Sequence, residues 1–249
     1  MAKKMPQPVL RKILFQARYK PELNFYNLLY PAAMQFSNYK HWETNNLSVS
    51  LFDHERRCTL GIHHNNFYYD WDYGGTSLYL DNIREAIEQL STSLQLKGFI
   101  RIGLRQQLLI SVNMDFTEIN SILNVKFLSQ SESLLKLFPD GIDDMSYITV
   151  GTDDTMGIRL LLGPMRKAEI PNHIQVNEKH HFSPDRPDDY VALLNSYPEV
   201  AVFIDMDVSK SEQLIELTDA ISFVDKAKEK LDNKITTLRD YIFTRQVEL

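Results

Sequence analysis

Val200-Ala201-Val202-Phe203-Ile204-Asp205-Met206-Asp207-Val208 is a run of aliphatic and aromatic residues that ends in Asp-x-Asp. It reads as a strand, Val200 to Val208. From Ser209 onward the spacing turns helical. The same order occurs once before. Phe67 to Tyr73 carries Asp70-Trp71-Asp72, Gly74-Gly75 follow, and Leu80 to Leu96 sets Ile83, Ala86, Ile87, Leu90 and Leu94 on one helical face, with Asp81 or Ser77 as cap. A strand ending in Asp-x-Asp, a turn and an amphipathic helix therefore close each of two similar halves. The expected fold class is α+β: a mostly antiparallel sheet or half-barrel in two similar halves, with a long C-terminal helix. The chain reads as a single compact unit, with halves at 1–128 and 129–249.

The remaining elements fit that frame. In Leu10 to Tyr19, Ile13, Phe15 and Ala17 alternate with Leu14, Gln16 and Arg18. Leu14 blurs the polar face, so both faces of this strand are expected to be partly covered. Asn24 to Phe36 has helical spacing with Pro31 inside, which predicts a kink or break. Leu47 to Phe52 and Cys58 to Ile62 read as strands, with His63-His64-Asn65-Asn66 as a hairpin turn into Phe67. Phe99 to Val112 is a long strand or strand pair. Ile119 to Phe127 and Glu132 to Phe138 read as short helices. Tyr147 to Val150 and Gly157 to Leu162 pair about the turn Thr152 to Thr155. Ile170 to Asp189 holds Pro171, Pro184 and Pro187 and reads as a long loop, with a strand at His173 to Val176.

The terminal helix is the most regular feature. Ser211 to Phe243 contains no Gly and no Pro, and Leu217, Ile221, Val224, Leu231, Ile235, Leu238 and Ile242 recur at 4-3 spacing, with Lys228 in the missing slot. Unbroken, it would be about 50 Å long at ~1.5 Å per residue. The plainer alternative is two helices broken near Ser222. A rod of that length exceeds one small domain, so Leu231, Ile235, Leu238 and Ile242 are expected to meet a protein partner or a second copy of the chain.

Composition narrows the function. The net charge is −6 and the cysteine count one, over 249 residues. Nucleic-acid binding is not indicated by net charge, although a local basic patch is not excluded. A single cysteine allows no internal disulfide, no leader-like apolar stretch follows Met1 to Leu10, and no apolar run approaches the ~20 residues of a membrane span. A cytoplasmic location is the expectation, with no membrane contact and no cofactor.

Candidate chemistry is sparse. In a strand, Asp70 with Asp72, and Asp205 with Asp207, point to one face, so each pair could hold a divalent cation. The plainer account is that carboxylates gather where strands turn into helices. The histidines (His41, His54, His63, His64, His173, His180, His181) lack zinc-ligand spacing, and a site joining His63 to His180 across the fold is the only metal arrangement they offer. Cys58 follows Arg56 and Arg57, which would lower its pKa, but a lone strand cysteine is usually inert packing. Neither phosphate-loop motif nor Gly-x-Ser-x-Gly occurs. Phe67, Tyr69, Trp71 and Tyr73 form an aromatic stripe whose plainer reading is core. Arg101 and Arg105 flank Gly103 on one face of the central strand and need acidic partners, for which Asp205 and Asp207 are the candidates.

Four blocks carry a resemblance. They are Pro8-Val9 with Ile13 to Tyr19; Ile100-Arg101-Ile102-Gly103-Leu104-Arg105; Phe203-Ile204-Asp205-Met206-Asp207; and Leu231 to Leu238 with Ile235-Thr236. Together they resemble a sporadically distributed family of bacterial proteins of about this length, for which no activity can be carried over. Gln106, Lys226 and Leu231 depart from its pattern. The family's patchy distribution implies mobile or defence-associated genes, such as a toxin–antitoxin or phage-defence operon. The expected function is a non-enzymatic binding or regulatory protein. The rival is a divalent-metal-dependent enzyme acting on phosphodiesters or nucleotides through Asp70/Asp72 or Asp205/Asp207.

Overall fold

Apolar residues alternate with polar ones along most of the strands, and the sheet they form carries a core on each face. A computed structural model describes residues 5–72, 78–128, 143–174 and 178–244. The strands are β1 (Pro8–Arg18), β2 (His41–Asn45), β3 (Ser48–Asp53), β4 (Cys58–His63), β5 (Asn66–Asp72), β6 (Phe99–Ser111), β7 (Tyr147–Asp153), β8 (Met156–Arg166) and β9 (Val200–Ile215). The helices are α1 (Phe25–Ala33), α2 (Leu78–Ser93), α3 (Phe116–Leu128), α4 (Ile170–Ile174), α5 (Glu178–His181), α6 (Pro187–Asn195) and α7 (Leu217–Phe243). The fold is α+β with a long C-terminal helix.

All nine strands form one antiparallel sheet in the order β2-β3-β4-β5-β1-β6-β9-β8-β7. That order is nearly a palindrome. Outward from the central β1–β6 pair, β5 matches β9, β4 matches β8 and β3 matches β7, with β2 added at one edge. Each half runs strand, helix, hairpin strands, helix, first from Pro8 and again from Phe99. The repeat thus starts over inside the span assigned to the first half.

One face carries the larger core. Ile13, Phe15, Phe67, Tyr69, Ile102, Leu104, Ile204 and Val208 point into it, and α1, α2, α3 and α7 cover it. Phe67, Tyr69 and Trp71 are buried, so the described part of the aromatic stripe is core. Helix α7 runs unbroken through Ser222, about 40 Å at ~1.5 Å per residue. Its buried stripe is Ala220, Phe223, Val224, Ala227, Leu231, Ile235 and Ile242. Ala227 takes the slot assigned to Lys228, which pairs outward with Asp232. Burying each large side chain in this stripe contributes roughly 1.5–3 kcal/mol.

Three expectations are corrected. The last helix begins at Leu217, because β9 continues to Ile215 beside β6, with Ser211 opposite Arg101 and Ile215 opposite Phe99. Helix-compatible residues at 211–215 are held extended by that ladder, a tertiary override of local propensity. The long loop at 170–189 is largely short helices. Ile170 and Ile174, one turn apart in α4, are both buried, and Pro187 opens α6 where a missing N–H costs nothing. Helix α1 is not broken at Pro31 but ends at Ala33, short of the expected Phe36. The Gly74-Gly75 turn, the Ser77 cap, Tyr73 and the helix at 132–138 lie outside the described residues. Among the described residues, no helix is long and apolar enough to cross a membrane.

Candidate functional site

The second face of the sheet is where the charged side chains gather. Its register is set by the central strands. Asp72 stands opposite Lys12, and Asp70 opposite Leu14. Asp207 stands opposite Arg105, and Asp205 opposite Gln107. With Lys12 opposite Gln107 and Leu14 opposite Arg105, two rungs cross four strands. One reads Asp72, Lys12, Gln107, Asp205. The other reads Asp70, Leu14, Arg105, Asp207. Reversing the second rung reproduces the charge order of the first. The pseudo-two-fold that relates the halves therefore maps Lys12 onto Arg105, Asp70 onto Asp205 and Asp72 onto Asp207.

The ion pairs obey the same symmetry. Lys12 Nζ lies 3.1 Å from Asp70 Oδ2. Arg105 donates Nε to Asp205 Oδ1 at 2.6 Å and Nη2 to the other oxygen, a bidentate pair. Arg101 reaches Asp207 at 3.2 Å. The expected pairing of Arg101 and Arg105 with these two carboxylates is therefore present. Gln107 bridges the network: its amide nitrogen donates to the Ile174 carbonyl at 3.2 Å and its oxygen accepts from Arg105 at 3.1 Å. The opposite amide orientation would set the amide nitrogen against the Arg105 guanidinium, donor to donor.

A cover separates the two groups. Residues from α4 to Tyr197 pack over this face and build a second core with Leu109, Met165, Ala201 and Phe203. His181 sits 4.0 Å from Asp70, Arg57 lies over the Phe182 ring, and Arg11 over the Tyr197 ring. Burial pushes Asp72 up to about 7 and also raises Asp70. It drives His181 down to about 3. Asp70 Oδ1, Asp72 Oδ2, Thr59 Oγ1 and both His181 ring nitrogens have no hydrogen-bond partner among the described residues. Beyond the cover the face is open, and Gln16, Tyr68, Arg101, Arg105, Asp207 and Arg159 are half-buried.

The four candidate metal ligands fall into two sets. The Asp70/Asp72 strand and the Asp205/Asp207 strand are three strand spacings apart, about 14 Å. Among the described residues, no three His, Cys, Asp or Glu side chains are placed to hold a metal ion. His180 stacks on Phe52 and faces Glu43 at 3.6 Å, while His63 lies against the Tyr68 ring. Cys58 is buried in the main core, and burial pushes its thiol up to about 11, against the lowering expected from Arg56 and Arg57. The four candidate interaction residues are also placed differently. Leu231, Ile235 and Ile242 are buried in the chain's own core, and Leu238 packs at its margin. The sheet spans more of the rod than expected and the rod is shorter, so the apolar seam already has its cover.

Lys12 and Gln107 escaped the sequence reading, and His181 entered it only as one of several histidines without zinc-ligand spacing. Lys12 was legible in principle, being in phase with Leu14, Gln16 and Arg18. His181 was not, because its contact to Asp70 spans more than a hundred residues. Compared with known families and curated proteins, the chain matches no family model and no curated sequence.

Proposed function

We propose that this is a non-enzymatic binding or regulatory protein that binds through the open part of the second sheet face. The observation that supports it most is the paired clamping of the carboxylates. Asp70, Asp205 and Asp207 are each held by a cation on the adjacent central strand, Lys12, Arg105 and Arg101. Carboxylates engaged this way, in two sets about 14 Å apart, do not converge on one reacting atom. They fix a rigid, half-exposed polar surface instead. The reading extends to a cytoplasmic setting, supported by a single buried cysteine.

The test sets this against the metal-dependent phosphodiesterase. Thermal unfolding is followed with Mg²⁺, Mn²⁺ and Zn²⁺, and turnover of bis(p-nitrophenyl) phosphate is measured with each. No shift and no turnover are expected. A metal raising stability in proportion to its occupancy, with turnover lost in Asp205→Asn or Asp70→Asn, would replace the binding reading by the enzymatic one.

A further inference from the structure

The open end of the second face has an arrangement that the ion-pair network does not explain. Arg18 and Arg101 stand directly opposite each other on β1 and β6. Like charges in that position are destabilising unless something offsets them. Both guanidinium groups donate to the same acceptor, Gln16 Oε1, at 3.0 and 3.5 Å. Arg101 has one carboxylate, Asp207, which also feels Arg105 and Arg159. Arg18 has no carboxylate among the described residues. In a chain of net charge −6, this patch gathers Arg18, Arg101, Arg105 and Arg159 around Asp205 and Asp207, with Asp70 also acting on Arg105.

An aromatic ring completes the patch. Tyr68 shares a rung with Gln16 and Gly103. Its ring lies across Gly61, where a Cβ would sit 2.2 Å from the ring. Glycine there lets the tyrosine lie flat along the sheet, next to the His63 ring at 5.6 Å. With its ring over β4, Tyr68 is about two strand spacings from Arg18 on β1 and three from Arg101 on β6, roughly 10 and 14 Å between strands, a gap the long arginine side chains can narrow. A flat aromatic platform beside paired guanidinium groups is the chemistry that takes a nucleobase and its phosphate. A carboxylate-bearing peptide would use the arginines and leave the platform idle.

The geometry points to a nucleotide site at this open end, free or within a single strand, with Arg18 and Arg101 holding a phosphate and Tyr68 stacking a base. This rests on the reading of the face as a binding surface. The test is fluorescence anisotropy of a labelled short oligothymidylate on the full chain at low salt, with thymidine monophosphate, inorganic phosphate and oligoglutamate as competitors. Binding is expected, falling steeply as salt rises. Arg18→Glu, at an exposed position, should weaken it about tenfold or more, the size of one lost charge-assisted contact. Tyr68→Leu should weaken the oligonucleotide while leaving competition by inorganic phosphate unchanged. Competition by the mononucleotide at similar concentration assigns the site to free nucleotide, and its failure to compete assigns it to single strands. No binding at low salt, binding indifferent to Arg18→Glu, or equal competition by oligoglutamate overturns the site. Cleavage of the oligonucleotide would instead leave the site standing and overturn the non-enzymatic reading.

Discussion

The two halves of the sheet carry one charge pattern in two environments. Lys12, Asp70 and Asp72 on β1 and β5 occupy the positions that Arg105, Asp205 and Asp207 occupy on β6 and β9. The second set borders the open face, and its cation is a guanidinium gripping Asp205 with two bonds. The first set lies beneath residues 178–197, its cation is an ammonium 3.1 Å from an Asp70 oxygen, and Asp72 is pushed up to about 7. The cover responsible is inserted between β8 and β9, in the second half, yet it lies over the first half's carboxylates. Position on the sheet fixes which groups meet. What lies above them sets how far burial raises them: Asp72 reaches about 7, and Asp207 at the open face is raised too.

The deepest symmetry is in the core, where α2 and α7 pack side by side on the same face. Leu90→Ala and Leu231→Ala remove fully buried side chains at matched depths. Each should cost about 4 kcal/mol in urea unfolding. A Leu231→Ala chain that keeps wild-type stability but changes its mass by light scattering would return the seam to an intermolecular role.

The ion pairs should separate the halves. Arg105→Met strands the 3 % exposed Asp205 and should cost about 3 kcal/mol. Lys12→Met should cost less, and less at pH 5 than at pH 8. Asp70 is already held above the usual carboxylate range by burial, so it answers the loss by taking a proton. Equal costs at both pH values would show that the cover does not tune this pair.

The pH dependence follows from the cover itself. Asp72 titrates near 7 in the fold and near ~4 when unfolded. Its contribution is intact below about 4 and is lost as pH rises through about 7. His181 runs the other way: lowered to about 3, it contributes fully above about 6.5 and loses that contribution as pH falls toward 3. Asp72→Asn should remove a fall in stability between about pH 4 and pH 7, and His181→Gln a rise between about pH 3 and pH 6.5, two overlapping windows of opposite slope, each effect up to about 4 kcal/mol. Urea midpoints across pH 3.5 to 8 decide it. Unchanged profiles in both variants would place water, not protein, around these groups.

The smallest effect is at the exposed end. Arg18→Ala should leave stability within about 0.5 kcal/mol, since its side chain is exposed and its hydrogen bond goes to a neighbour on the same strand. A larger loss would make Arg18 part of the clamp rather than part of the surface.

The elements and their faces were legible in the order of the residues. Alternation located β1 and β3, because a strand with one apolar face shows period two, and apolar runs located β6 and β9. The recurrence of Asp-x-Asp before a helix announced the two halves. The Arg101-Gly103-Arg105 phase was enough to call for Asp205 and Asp207, since charges facing a core need partners. Three features depend on contacts distant in the chain. Residues 211–215 are strand because β6 offers a ladder there, and propensity cannot see a neighbour. Leu231, Ile235 and Ile242 are satisfied within the chain because the breadth of the sheet beneath α7 is a sum over nine strands, not a property of the helix. Asp72 and His181 are shifted because the segment that carries His181, more than a hundred residues from Asp72, folds over that part of the sheet. Burial is a property of what surrounds a group, and a sequence records only the group.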